Sequence, residues 1–286
     1  MAQVLSGKDV AAALNEKMAA DVEALKAKGI TPTLAILRIG ERADDISYEK
    51  GATKRCEGVG VGIKNVLLPA DVDQDTLMKA IADLNADEGV HGVLMFRPMP
   101  EQIDQEAACA ALDPAKDVDC VTEGSLAGVF TGSGKGYDPC TAQACMEILK
   151  HYGIDPKGKR AVVIGRSLVI GKPVAMMLLQ ANATITICHS KTADLPSVAK
   201  EADIVIAALG RMESITADYF KPGQTVIDVG INWNEEKGKL CGDVKFDDVE
   251  PIVDAITPVP GGVGSVTTSV LVSHVVDAAK KASEGK

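Results

Sequence analysis

DISYEKGATKRC, from Asp45 to Cys56, carries a phenol, Tyr48, and three cations, Lys50, Lys54 and Arg55. A phenol and an amine can share one ligand if they lie three or four residues apart on a helix, where side chains meet on one face. Three and four residues after Tyr48 come Gly51 and Ala52, and neither has a functional group to offer. Lys50 and Lys54 lie roughly 200° and 240° around a helix from Tyr48. They point away from whatever Tyr48 faces.

VVIGRSLVIGKPVAMMLL is a second stretch with chemical potential, reading as a strand, a tight glycine turn and a helix. Backbone N–H groups at such a helix start can hold a pyrophosphate. The spacing is not G-x-G-x-x-G, because Gly165 is followed by Arg166 and Ser167 and then by Gly171, so an ordinary β–α turn is an equal reading of this motif alone. The next strand ends in ICHSKT, where an NAD site typically carries an acid about 20 residues beyond the glycines. Cys188, His189, Ser190 and Lys191 stand there instead. With Arg166 in the glycine turn, that environment suits a 2′-phosphate, so NADP is favoured over NAD. AALGR and IDVGIN place Gly210 and Ile231 at two further strand ends on the same edge.

The elements that must position these residues alternate. Helix patterns over Ser6 to Lys28, Asp44 to Gly58 and Asp73 to Asn85 are interleaved with the apolar runs TLAILRIG, IKNVLLP and GVLMF. Strands separated by helices of this length predict a parallel sheet covered on both faces. Leu112 to Pro139 is rich in Gly, Asp and Ser and reads as loops joining two lobes. Thr141 to His151 looks helical, and RAVVIG, ATITIC, ADIVIAAL and QTVIDVG begin a second, doubly wound alternation. Ser265 to Lys281 reads as a last helix. The expected fold is therefore α/β, two lobes each built on a mostly parallel sheet flanked by helices, the second a Rossmann-type NAD(P)-binding domain.

Composition narrows the classes. A chain of 286 residues with 46% apolar residues is folded and globular. Its net charge of −10 argues against nucleic acid or an anionic membrane as the main partner. The N-terminal stretch reads as an amphipathic helix of mixed charge and not as a signal peptide. The longest run without a charged side chain, Ala255 to Val276, is broken by Pro, Gly and His274 and spans no membrane. Seven cysteines without a C-x-x-C pair fit a reducing cytoplasm better than disulfides or a metal site, and Cys140 and Cys145 read as packing residues.

TPVPGGVGSVTT, Thr257 to Thr268, is the most specific stretch, a rigid loop with little side-chain bulk before the last helix. With KDVD, DPCT, GRSLVIGKP, CHSKT and IDVGIN in this order, the chain closely resembles the methylenetetrahydrofolate dehydrogenase/cyclohydrolase family, over essentially its whole length. The resemblance implies two lobes, a folate substrate, NAD(P) as cofactor and a homodimer. It implies a discontinuous first domain, 1–139 plus 265–286, and a dinucleotide-binding domain, 140–264. It also implies oxidation of methylene-tetrahydrofolate to methenyl-tetrahydrofolate by hydride transfer, and in many members hydrolysis of the product to the formyl compound. By motif, Tyr48 would stack on the folate and Asp119 would hydrogen-bond the pterin, the two residues closest to the chemistry. Pro260, Gly261 and Gly264 would border the same ligand. Thr141, Gly165, Arg166, Ser167, Gly171, Ser190, Gly210 and Ile231 would line the cofactor.

Two departures bear on the second reaction. The family pattern has a lysine four residues after the tyrosine; counting back from the shared Cys56, that position is Ala52. The family strand end resembles V-Q-L-P-L-P, and here MFRPMP puts Phe96 where the supporting glutamine stands, followed by Arg97. Hydride transfer needs mainly placement and exclusion of water. Hydrolysis needs an activated water and a positioned cation. The expectation is a dehydrogenase whose cyclohydrolase is weak or lost. A bifunctional enzyme with Lys54 or Arg97 as substitute cation is the alternative, and a non-catalytic nucleotide-binding module is a remote one. Smaller departures, Ala142 after DPCT and Ser265 and Val266 after PGGVG, bear on ligand affinity.

Overall fold

The computed structural model describes Met1 to Glu284. The chain begins with β1 (Gln3–Val4) and α1 (Gly7–Lys26). Strands and helices then alternate as β2 (Thr33–Ile39), α2 (Ala43–Val59), β3 (Gly62–Leu68), α3 (Gln74–Ala86) and β4 (Gly92–Met95). Three helices follow, α4 (Gln105–Ala111), α5 (Glu123–Thr131) and α6 (Cys140–His151). The second alternation is β5 (Arg160–Ile164), α7 (Gly171–Gln180), β6 (Thr184–Cys188), α8 (Leu195–Lys200), β7 (Ile204–Ala207) and β8 (Thr225–Asp228). A hairpin, β9 (Asn232–Asn234) and β10 (Lys239–Cys241), precedes α9 (Phe246–Val249), β11 (Ala255–Ile256) and α10 (Thr267–Glu284).

These elements form two compact units. One combines Met1–Ala12 with Thr141–Thr267; the other combines Ala13–Cys140 with the segment starting at Thr268. The first twelve residues therefore belong with the second alternation, not with the first lobe where the sequence placed them. The cause is β1, which pairs in parallel with β11 through Gln3 with Ala255 and Val4 with Ile256. A two-residue strand has no periodicity to read.

The first of these units is a six-stranded sheet in the order β1-β11-β8-β7-β5-β6, every neighbouring pair parallel. Its central strands β5 and β7 are buried runs of Val, Ile and Ala after the exposed Arg160 that opens β5, as strands covered on both faces must be. β6 lies on one side of β5 and β7 on the other, so the order reverses at the carboxyl end of β5. That reversal leaves the crevice where doubly wound sheets bind ligands.

The other unit is a three-stranded parallel sheet, β3-β2-β4. β4 extends by a parallel bridge from Val93 to Asp117. Leu77, Ile81 and Leu84 recur at helical spacing on α3 and pack with Leu37, Val93 and Met95 of the sheet. α10 returns to this unit, with Lys280 paired to Asp21 of α1 at 2.6 Å. The stretch expected to be all loop, Leu112 to Pro139, contains α5. Two glycines lower its helix propensity, but Thr122 caps it by accepting from Ser125 N. Gly128 is needed there, since a Cβ would stand 2.0 Å from the Lys135 carbonyl oxygen. No helix among the described residues is long and apolar enough to cross a membrane.

Candidate active site

In the three-stranded unit, KDVD divides its labour. Lys116 Nζ donates to the carbonyls of Leu84, Asn85 and Asp87 at 2.7–2.9 Å, satisfying the C-terminal end of α3. Asp117 is fully buried and accepts from the backbone N–H of Val121 and Thr122, both at 2.8 Å. These bonds fix the turn and leave Asp119 as the acid with surface still accessible. Burial pushes the Asp119 carboxyl up to about 6, although the Cys140 thiol and the Arg97 charge pull it back.

Tyr48 is set by α2. Arg38 at the end of β2 pairs with Glu49 at 2.6 Å, both side chains largely buried, and fastens the second helical turn to the sheet. Tyr48 is partly buried, and its hydroxyl is raised well above the usual tyrosine range by that burial, then by the charges of Asp119 and Cys140. The fold thus brings Tyr48 and Asp119 into one electrostatic environment. Ala52, one turn on, is 0% exposed. Phe96 meets Tyr48 edge to face, ring centroids 6.0 Å apart. Lys50 and Lys54 are exposed, as the helical geometry requires. Cys140 is more than packing: its buried thiol donates to the Val118 carbonyl at 3.3 Å and is raised by burial and then by the charge of Asp119.

In the six-stranded unit, the expected dinucleotide residues occupy one edge. Gly165 has φ +140, and a Cβ there would stand 2.3 Å from the Ala208 carbonyl oxygen. Ser167 Oγ accepts from Ile170 N at 3.2 Å and Gly171 N at 3.5 Å, shaping the start of α7. Gly171 packs on the Gly165 carbonyl, where a Cβ would come within 2.4 Å. Arg166 and Ser190 are exposed at the ends of β5 and β6. His189 Nδ1 accepts from Lys191 N at 3.1 Å, so this ring orders its own turn. Thr141 lies in the first turn of α6, its carbonyl accepting from the Cys145 thiol at 3.4 Å.

The far side of the same edge carries Gly210 after β7, Ile231 after β8 and the 257–264 loop after β11. Gly261 O accepts from Gly7 N at 2.8 Å, which ties that loop to the start of α1. A Cβ on Gly264 would come within 2.9 Å of Ile231 Cδ1, so a residue expected to line cofactor touches one expected to border folate. Pro260 and Gly264 are exposed. Leu209, Gly210 and Arg211 all donate their backbone N–H to Asp243, a residue the sequence reading passed over. Its only signal was the short GDV near the hairpin. Among the described residues no three His, Cys, Asp or Glu side chains cluster as metal ligands would.

The tetrahydrofolate dehydrogenase/cyclohydrolase catalytic-domain model matches residues 5–119, and the NAD(P)-binding-domain model of the same family matches 139–283. The bifunctional protein FolD of Carboxydothermus hydrogenoformans is 53% identical over 97% of each chain. The crystal structure of the bifunctional FolD of Campylobacter jejuni superposes with a TM-score of 0.95 at 38% identity, covering 98% of this chain and 99% of that one. The Trypanosoma brucei dehydrogenase-cyclohydrolase, determined with NADP and an inhibitor, gives 0.90 at 35% identity over 98% of both chains. The chain belongs to the tetrahydrofolate dehydrogenase/cyclohydrolase family.

Proposed function

We propose that this enzyme oxidises methylene-tetrahydrofolate to methenyl-tetrahydrofolate by hydride transfer to NADP⁺, and that its cyclohydrolase step is weak or lost. When bound, the nicotinamide accepts the hydride from the methylene carbon. The residues of this chain place the reactants. Tyr48 offers an aromatic face to the folate and Asp119 a hydrogen bond to the pterin. The backbone between Gly165 and Gly171 receives the pyrophosphate, and Arg166 with Ser190 suits a 2′-phosphate where a carboxylate would repel it. None of these tasks requires a proton to be removed in the hydride step.

One observation carries the loss of hydrolysis. The position one turn beyond Tyr48 is a fully buried alanine, and Phe96 packs against the Tyr48 ring. Apolar atoms stand where a cation and its amide partner would manage an activated water. Full bifunctionality is the second reading, favoured by the names of the similar FolD proteins and by the Arg97 charge that reaches Asp119. A homodimer, with the three-stranded unit as the folate domain in each copy, completes the proposal on the family resemblance.

A two-part assay separates the readings. Reduction of NADP⁺ and NAD⁺ is followed with methylene-tetrahydrofolate, and decay of added methenyl-tetrahydrofolate is followed against its uncatalysed rate. The expected result is NADP⁺ reduction with decay barely accelerated. A hydrolysis rate comparable to the reduction rate would sink the loss, and no reduction with either cofactor would sink the dehydrogenase.

A further inference from the structure

Asp243 is 0% exposed, yet its carboxylate carries four donors. Oδ2 accepts from Leu209 N at 2.6 Å and Gly210 N at 2.9 Å. Oδ1 accepts from Arg211 N at 2.8 Å and Asn232 Nδ2 at 3.1 Å. Three successive backbone N–H groups, with Gly210 at φ +65, form the kind of concavity that binds anions. Here the protein fills it with its own side chain.

The clamp is itself held from behind. Asp243 N donates to Asp228 Oδ1 at 3.1 Å, and Asp228 also accepts from Gly230 N and Val244 N, each at 2.9 Å. A Cβ on Gly230 would stand 2.4 Å from Asp243 Oδ1, and one on Gly242 would stand 1.8 Å from Asp228 Oδ2. Two glycines therefore exist to let two carboxylates approach. Burial pushes Asp228 up to about 7, which reduces the repulsion between them.

The strands explain what the clamp governs. Ser190 follows β6, the glycine turn follows β5, and Gly210 and Ile231 follow β7 and β8 on the opposite side. A dinucleotide with its pyrophosphate at the β5 turn and its adenosine ribose toward Ser190 must lay its nicotinamide half along β7 and β8. Asp243 bonds both loops there: 209–211 directly, and Ile231 through the next residue, Asn232.

We propose that Asp243 is a positioning residue for the nicotinamide half of the cofactor, one carboxylate setting the backbone at both Gly210 and Ile231. This rests on the dinucleotide reading of the unit. The test compares binding of NADPH with binding of its nicotinamide-free fragment, 2′-phospho-ADP-ribose, by calorimetric titration. Asp243→Asn keeps the shape but turns an amide against N–H donors, and should weaken NADPH about thirty-fold, the equivalent of roughly 2 kcal/mol. The fragment should change less than about two-fold, because its contacts lie at β5 and β6. Asn232→Ala, which removes one donor and leaves the buried pair intact, should weaken NADPH about three-fold with the same selectivity, about one net hydrogen bond. That milder variant decides the matter if Asp243→Asn does not fold. Equal losses for NADPH and fragment, or no loss of either, would overturn the inference while the dinucleotide reading stands. If the unaltered chain bound neither NADPH nor NADH, the dinucleotide reading itself would fall, and this inference with it.

Discussion

The Tyr48 face of the three-stranded unit and the carboxyl edge of the six-stranded unit treat buried polarity in opposite ways. At the edge, Asp228 and Asp243 are both buried and their oxygens collect seven N–H donors between them. On the Tyr48 face, Ala52 on the helix and Phe96 just past the end of β4 present hydrocarbon. Both are stable solutions, because a buried polar group is costly only when its partner is missing. A polar network survives whole, or its members are replaced together. The edge holds a complete network, and on the function proposed above the Tyr48 face has given up two members at once.

The sharpest way to break the edge is Gly165→Ala. The backbone angle there is one that L residues avoid, and the new Cβ would meet the Ala208 carbonyl oxygen at 2.3 Å. That obstacle is main chain and cannot swing aside. Strain of about 1–3 kcal/mol plus the collision should lower the melting temperature and weaken NADPH by more than about a hundred-fold. Thermal melts and a cofactor titration read both. A variant that binds NADPH normally would mean the turn does not shape the pyrophosphate site, and the contrast between the regions would lose its functional half.

Much of this arrangement was legible in the sequence because it rests on local rules. Alternating apolar runs gave both sheets, the glycine turn gave the start of α7, and helical spacing put Lys50 and Lys54 away from Tyr48. What escaped depends on partners distant in sequence. Asp243 lies 32 to 34 residues from the N–H groups it accepts, and no periodicity announces such a bond. The Arg38–Glu49 pair hides inside a run that otherwise reads as strand and helix. β1 is too short to show a pattern, and α5 carries the glycines of a loop. Its helix is decided by a threonine cap and by close approach of Lys135, not by propensity.

The Tyr48 face can be probed by restoring polarity at both positions. Ala52→Lys alone puts an ammonium at a fully buried position and should cost about 2–3 kcal/mol in urea unfolding. Adding Phe96→Gln gives the ammonium a partner, so the double variant should be more stable than the two single costs predict, by about 1 kcal/mol. The double variant should also accelerate methenyl-tetrahydrofolate decay above that of the unaltered chain. Additive costs with no gain in hydrolysis would mean the two positions no longer share a task, and the coordinated-loss explanation would go.

The smallest expected effect concerns the charge that the Tyr48 face retains. Asp119 is held near 6, above the 3.8 of a free aspartate, chiefly by burial. The folded state therefore favours the protonated acid, and this contribution to stability is complete below about pH 4 and is lost as pH rises to about 6. Asp119→Asn removes that dependence. The difference in unfolding free energy between the unaltered chain and the variant should fall by about 2 kcal/mol from pH 4 to pH 6.5 and stay level above. Asp228, which shifts in the same direction, is present in both proteins and drops out of the difference. A flat difference would place Asp119 in contact with bulk water. The Tyr48 face would then be an open site where a water and the Arg97 charge could meet the substrate, and hydrolysis would regain a physical basis that Ala52 and Phe96 alone do not supply.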